Sequence, residues 1–460
     1  MFKTFFSSAL LLSIYLFFTG CSIHTINENP QDNLEIPKGY SFSSETLGDH
    51  NISIFWHEAF SDKRLSSLIS YAYEHNYDIN QSIARIKAAM AISKFSNASR
   101  YPELFLEASS TQQLMSDENQ NTSKAGLTLT WELDLFNKLE NISKSDVLEF
   151  EALQEELEAL KLSLGSEIAI AYFGALSEHQ TLQLLQQQVE LNEHYLELIN
   201  LRFEQGVATN LEILQQKGQV AQSRSLIPPA FARLRAYENR LDVLLGEVPD
   251  GKARVNKEAT ILDVVMPSNT GLPSDLLLFR PDLRAQLKRL IAADADIAVA
   301  MAERLPSLTL GVGGYYSHTN SYSGLLGGLS ASLIQPLLDW GARKAEVEHN
   351  KALYEEQLAI FSSLYLQALE EVETSIYNEK QQVEYLKRLE NRRDILEKTV
   401  KEAELQYLQG VSDYLPVLNA LVSLHTLERS LISAKYDLIL YRITLHRSLG
   451  SKAKINKENI

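Results

Sequence analysis

The sequence predicts a mostly α-helical fold with a membrane β-barrel portion, built as a tandem repeat of a β-hairpin and very long coiled-coil helices. Three observations predict it. The chain is written twice at an offset of 204 residues: Asn76-Tyr77-Asp78-Ile79 matches Arg280-Pro281-Asp282-Leu283, Tyr101-Pro102 matches Leu305-Pro306, and Leu245-Gly246 matches Leu449-Gly450 (306 − 102 = 204; 450 − 246 = 204). A register held through such long stretches means two copies of one supersecondary unit. No proline occurs between Glu103 and Ile227 or between Leu337 and Leu415, which permits very long helices. Each copy also holds two short segments whose apolar residues alternate with period two, as in strands.

The chain begins as an address. Lys3 precedes an apolar run, Leu10–Phe18, and then the small residues Thr19 and Gly20 before Cys21. This is the layout of a secretory signal peptide over residues 1–20. Cys21 is the sole cysteine of the 460 residues, so neither an intrachain disulfide nor a cysteine zinc site is available. Residues 21–50 are polar and punctuated by Pro30, Pro37 and Gly39, and read as an extended tether. The first repeat occupies 51–250, with its hairpin at about 102–136. A linker over 251–275 carries Gly271 and two prolines. The second repeat occupies 276–450, with its hairpin at about 306–340, and a loose tail covers 451–460.

Within each repeat the order is helix, hairpin, very long helix, turn, helix. The first helix is expected over Lys63–Ala98 and its counterpart over Asp275–Arg304. The strands are Glu103–Glu107 and Leu127–Leu133 in the first copy, and Ser307–Val312 and Leu329–Ile334 in the second. From about Glu140 to Glu204 nothing stronger than Gly165 and Gly174 interrupts a helix on the order of 95 Å long. Leu182, Leu185, Val189, Asn192, Leu196, Ile199 and Phe203 alternate spacings of three and four, a coiled-coil seam with Asn192 its one polar member. Gly206 and Gly410 end the two long helices, and Pro228-Pro229 is expected to kink the returning helix of the first repeat.

The net charge of −16 argues against a nucleic-acid groove. No metalloprotease pair, nucleophile elbow, phosphate loop or dinucleotide fingerprint appears, so no enzyme, metal or cofactor is expected. Gly311-Val312-Gly313-Gly314 lies inside a strand, where glycine marks close backbone packing. Asp294 and Asp296 fall on different sides of their helix. Four strands cannot close a barrel alone, because open edges in lipid leave backbone groups unpaired. Cyclic association of identical chains would join those edges.

With these features on the page, the chain resembles the TolC-like outer-membrane efflux channels, and among them the lipoprotein branch of the OprM and NodT type. The carrying residues are Phe55-Trp56 with Phe60 and Asp62, Arg280-Pro281-Asp282-Leu283-Arg284 with Ala293-Asp294-Ala295-Asp296-Ile297, and Pro306-Ser307-Leu308. Trp131–Phe136, Asp339-Trp340-Gly341-Ala342-Arg343 and the two glycine turns complete the set. The resemblance implies a homotrimer, a twelve-stranded outer-membrane barrel continued by an α-helical periplasmic tunnel. It implies docking to a periplasmic adaptor and to an inner-membrane pump of the RND type. Phe18-Thr19-Gly20-Cys21 resembles a lipobox, implying acylation of Cys21, and Ser22 favours sorting to the outer membrane.

The resemblance also implies a role for the hairpin tips. Gate candidates at the second tip are Tyr407, Gly410, Asp413, Tyr414 and Asn419, with Asn419 standing where relatives often place an aspartate. Asp413 is also placed to cap the helix that follows. Gly206, Val207, Thr209 and Asn210 at the first tip are adaptor-docking candidates. The implied activity is passive export of small, drug-like molecules. Alternatives are a conduit for protein in a type I secretion system, or a non-transporting structural lipoprotein.

Overall fold

The computed structural model describes residues 23–30, 36–41, 60, 62–113, 120–255, 273–319 and 322–450. The expected signal peptide, Cys21, the Phe55-Trp56 motif, most of the expected 251–275 linker and the expected 451–460 tail lie outside these residues. Helices α1 (Lys63–His75) and α2 (Tyr77–Ala98) lead into strands β1 (Glu103–Gln113) and β2 (Gln120–Leu133). Then come α3 (Lys138–Glu204), α4 (Asn210–Ser225) and α5 (Ile227–Leu244). The second repeat supplies α6 (Leu276–Phe279), α7 (Pro281–Ala302), β3 (Ser307–Thr319), β4 (Ser323–Ile334), α8 (Ala342–Leu408) and α9 (Leu415–Leu449).

The repeat survives into three dimensions. α3 and α8 are each 67 residues, about 100 Å, and begin and end 204 positions apart. Glu103 pairs with Thr130 and Ser307 pairs with Ile334, the same register in both hairpins. Asn76 donates through its side-chain amide to the Leu244 carbonyl, and Arg280 donates to the equivalent Ser448 carbonyl.

That contact explains a departure from expectation. The single helix expected over Lys63–Ala98 is two helices, because Asn76 stands extended between them (φ −67°, ψ 134°). Its Oδ1 accepts from the amides of Asp78 and Ile79 and so starts the second helix as it ends the first. In the second repeat Pro281 does the same by sterics, holding Arg280 extended (φ −85°, ψ 114°). The Pro228-Pro229 kink is a break: α4 ends at Ser225 and α5 restarts at Ile227, with the prolines in its first turn. The corresponding stretch of α9 has no proline and runs unbroken for 35 residues.

The chain divides into two compact units, and each takes parts of both repeats. One holds residues 1–35, 82–156 and 282–365; the other holds 36–81, 157–281 and 366–460. In the first, the strands form one antiparallel sheet in the order β1-β2-β3-β4. Its central pair, β2 with β3, joins the two repeats from Thr122↔Thr319 to Leu133↔Leu308. In the same unit α7 is laced to α3 by Arg284–Glu155, Lys288–Glu151 and Arg289 between Glu149 and Glu156.

In the second unit Ile168, Tyr172, Phe173 and Leu176 of α3 are buried, as are Phe60, Leu65 and Ile69, and the Phe60 and Phe173 rings lie 5.4 Å apart. Asp62 caps α1 by accepting from the amides of Arg64 and Leu65, while its other oxygen accepts from the Tyr172 hydroxyl at 2.9 Å. α3 contains a stretch apolar enough to cross a membrane by composition, but two-thirds of it is buried within the protein, as in a core helix.

Candidate functional site: the helical tips and the four-stranded sheet

Both long helices end in the same way. The amide of Gly206 donates to Phe203 and that of Val207 to Arg202; the amide of Gly410 donates to Tyr407 and that of Val411 to Gln406. This is the Schellman pattern, with glycine at the left-handed position (φ 76° and 71°). The backbone of the two tips is therefore equivalent, and their side chains are not.

At the first tip Val207, Thr209 and Asn210 are all exposed. Thr209 caps α4, its hydroxyl accepting from the Glu212 amide at 3.3 Å. At the second tip Asp413 is exposed, and α9 starts at Leu415 with no side-chain cap on its first amides. The capping role expected of Asp413 is not seen, because Tyr414 occupies the cap position with helical dihedrals. Asn419 stands exposed on α9.

Tyr407 and Tyr414 are drawn inward. Tyr414 is fully buried and Tyr407 nearly so, their rings 5.3 Å apart in a cluster with Ile199, Ile213, Val400 and Val417. The Arg202 guanidinium lies over the Tyr407 ring at 4.5 Å, and the Tyr407 hydroxyl donates to Glu212 at 3.2 Å. The Tyr195 hydroxyl donates to Glu404. Burial pushes the Tyr407 and Tyr414 hydroxyls up from their ordinary range, so both stay protonated donors.

Gln216 and Ser223, which the sequence did not single out, join the seam residue Asn192 to complete this arrangement. The Tyr414 hydroxyl donates at 2.7 Å to Gln216, whose amide donates at 2.7 Å to the Asn192 carbonyl; the Asn192 side chain donates to Ser223 at 2.8 Å. This buried chain runs through α9, α4 and α3. The seam around Asn192 holds at Leu182, Leu185 and Ile199, but Phe203 is exposed at the tip. Gln188, not Val189, takes the buried place, bonding to Glu428, Arg429 and the His425 carbonyl. Continuing the three-four spacing into Ile213, Gln216, Val220 and Ser223 of α4 would have found its polar members. Beside the tips a cleft of about 390 Å³ is lined by Leu191, Leu198, Leu201, Tyr407, Leu408 and Val417.

The sheet carries the other candidate surface. Its registers place Leu104, Leu106, Leu127, Leu129, Val312, Leu329 and Leu333 on one face, with Ala, Gly, Tyr and Trp between them. Several are freely exposed, among them Leu106 at 79% and Leu329 at 85%. The opposite face carries Glu107, Lys124, Thr128, Thr130, Ser330 and Ser332, with Gly126 and Gly311 between them. Gly126 sits directly opposite Tyr315, where an added Cβ would fall 2.3 Å from the Tyr315 side chain. Among the described residues, the outer edges of β1 and β4 pair with no strand. No group of acidic or histidine side chains among the described residues is arranged to hold a metal.

Against known proteins, the model of the family described as outer membrane efflux protein matches residues 68–247 and again 272–451, the two halves once more 204 apart. The toluene efflux pump outer membrane protein TtgF of Pseudomonas putida is 26% identical over 97% of both chains. The cation efflux system protein CusC of Escherichia coli K12 is 25% identical over 95% of this chain and 97% of its own. The solved outer-membrane channel OprN superposes with a TM-score of 0.87 at 23% identity, covering 94% of this chain and 99% of that one. The fold is that of TolC-like outer-membrane channels, mostly helical with a small β portion. With its family model spanning both repeats, the chain belongs to the outer membrane efflux protein family.

Proposed function

We propose that this protein is the outer-membrane exit duct of a tripartite efflux system, a passive conduit for small, drug-like molecules. The sheet carries the reading. One face carries an apolar band from Leu104 and Leu106 across to Leu329 and Leu333, the other is mostly polar, and among the described residues both edges are open; such a surface is stable in lipid only when the edges of several copies join. Three copies would supply a twelve-stranded barrel. The exposed first tip, with Gly206, Val207, Thr209 and Asn210, and the apolar cleft beside the tips would receive a periplasmic adaptor linked to an RND-type inner-membrane pump. Cys21 would carry lipid and hold the protein in the outer membrane. Relatives named for toluene and for cation efflux support export of small solutes rather than of protein.

In this reading the second tip is the gate. Gly410 turns the chain, and Tyr407 and Tyr414 tie the two hairpins together. Asp413 and Asn419 face the solvent and would line the constriction, with any charge tripled by symmetry. Replacing Tyr407 or Asp413 with alanine should raise the conductance of the channel reconstituted in a planar bilayer. Unchanged conductance in both variants would remove these residues from the gate. The reading as a whole is tested by dye retention in cells with and without the gene. Higher retention in its absence, reversed by the intact gene, supports small-molecule efflux; equal retention would shift weight to protein export.

A further inference from the structure

The tether ahead of the first repeat is not a free leash. Residues 23–30 lie in the same compact unit as the sheet and α7, and they end on a single buried carboxylate. The Asp294 side chain of α7 is only 6% exposed. Its Oδ1 pairs with His24 Nε2 at 2.6 Å, and its Oδ2 accepts from the Asn27 backbone amide at 2.6 Å. The Asn27 side chain accepts from the Asn29 amide at 3.0 Å, which curls the segment locally, and Glu28 pairs with Lys144 of α3 at 3.1 Å. Both oxygens of a buried carboxylate are thus taken by the N-terminal segment. Without that segment a charge would stand buried with those partners gone, a costly arrangement. On α7 itself Asp294 is flanked by Ala293 and Ala295, its neighbours one turn away are the apolar Leu290, Ile291, Ile297 and Ala298, and the nearest charge in sequence, Asp296, is another carboxylate.

We propose that Asp294 is a clamp that fixes where the lipid-attachment residue sits against α7. The inference rests on the reading that Cys21 is acylated. Cys21 is three residues before His24, and three residues of fully extended chain span at most about 10 Å. A grip on His24 and Asn27 therefore confines the acylated cysteine to the immediate surroundings of α7. The polar residues that follow, which composition alone reads as slack, do not set the position of the anchor.

The test uses the mature, membrane-extracted protein carrying Thr25→Cys, an exposed site within the clamped segment, labelled with a thiol-specific nitroxide. One label per chain is expected, because acylation removes the Cys21 thiol. Two labels per chain would show Cys21 unmodified and overturn the anchor-positioning role, while the spectrum would still report on the clamp. With the clamp intact, the label should give an immobilised spectrum. Asp294→Ala should make it mobile and speed amide exchange of residues 23–30 on the order of tenfold, with exchange in α3 and α7 unchanged. His24→Leu should do the same, and His24→Gln, which keeps a donor, should restore immobility. A label already mobile in the intact protein, or unchanged mobility in Asp294→Ala, overturns the clamp. Faster exchange across α7 as well would reduce Asp294 to a general packing residue and overturn it too.

Discussion

The two helical tips share a backbone and differ in almost everything else. Both glycines sit at the same left-handed position, in open space, and each glycine amide together with that of the following valine satisfies the equivalent pair of terminal carbonyls. The first tip is capped by Thr209 and presents its side chains to solvent. The second has no side-chain cap and turns two tyrosines into the core, one of them wired to Gln216 and Asn192. A local turn signal thus sets the geometry of a tip, while the long-range partners of its side chains decide whether it is a free surface or a tied one.

The comparison is broken most severely at the other pair of matched glycines. Gly246 and Gly450 are also left-handed, but each faces backbone: an added Cβ would fall 2.5 Å from the His75 carbonyl oxygen and 2.4 Å from that of Phe279. Gly450→Ala combines dihedral strain with a clash against main chain and should cost more than about 3 kcal/mol, measured as loss of folded protein in detergent. Gly410→Ala, with nothing within 4 Å, should cost only about 1 kcal/mol. Similar losses at both sites would show that turn strain, not close packing, dominates.

The buried tie at the second tip should respond next. Tyr414→Phe leaves the Gln216 oxygen buried without its donor and should cost about 1–3 kcal/mol in denaturant unfolding. Tyr407→Phe, whose bond to Glu212 is longer and only part-buried, should cost less than Tyr414→Phe. The reverse order would mean that the aromatic stack, not the hydrogen-bonded chain, holds the tip.

Acid should loosen the same region. Burial, aided by Arg429, pushes His425 down to about 4. Between the ordinary histidine value near 6.5 and that value the unfolded chain takes a proton that the folded chain refuses. Stability from this group is therefore full above about pH 6.5 and declines as pH falls toward 4, by up to about 2 kcal/mol at pH 4.5. Burial raises the Glu428 carboxyl and so opposes part of that loss. His425→Gln should flatten the difference between denaturant midpoints at pH 7.5 and pH 4.5; an unchanged slope would move the effect to His446, which burial also pushes down to about 4.

The smallest effect belongs to the first tip. Thr209→Ala removes one exposed cap and should cost at most about 1 kcal/mol, while Asp413→Ala should leave stability unchanged.

Sequence alone determined whatever depends on neighbours in the chain. Period-two alternation located all four strands, although each is longer than its apolar stretch, since ladder pairing continues through polar residues such as Ser109 and Lys124. Absence of proline set the two 67-residue helices, and glycine set the turns that end them. The 204-residue offset announced that contacts would come in matched pairs, as Asn76–Leu244 and Arg280–Ser448 do. Tertiary structure decided the choice of partners. No periodicity in α4 says that Gln216 will meet Tyr414 from the other repeat, because that meeting depends on how two hairpins nearly 200 residues apart pack. The break at Asn76 was hidden for the same reason: an asparagine is tolerable inside a helix until a distant carbonyl claims its side chain. The docking of His24 and Asn27 on Asp294 was equally invisible, since a polar segment reads as slack until a buried carboxylate takes hold of it.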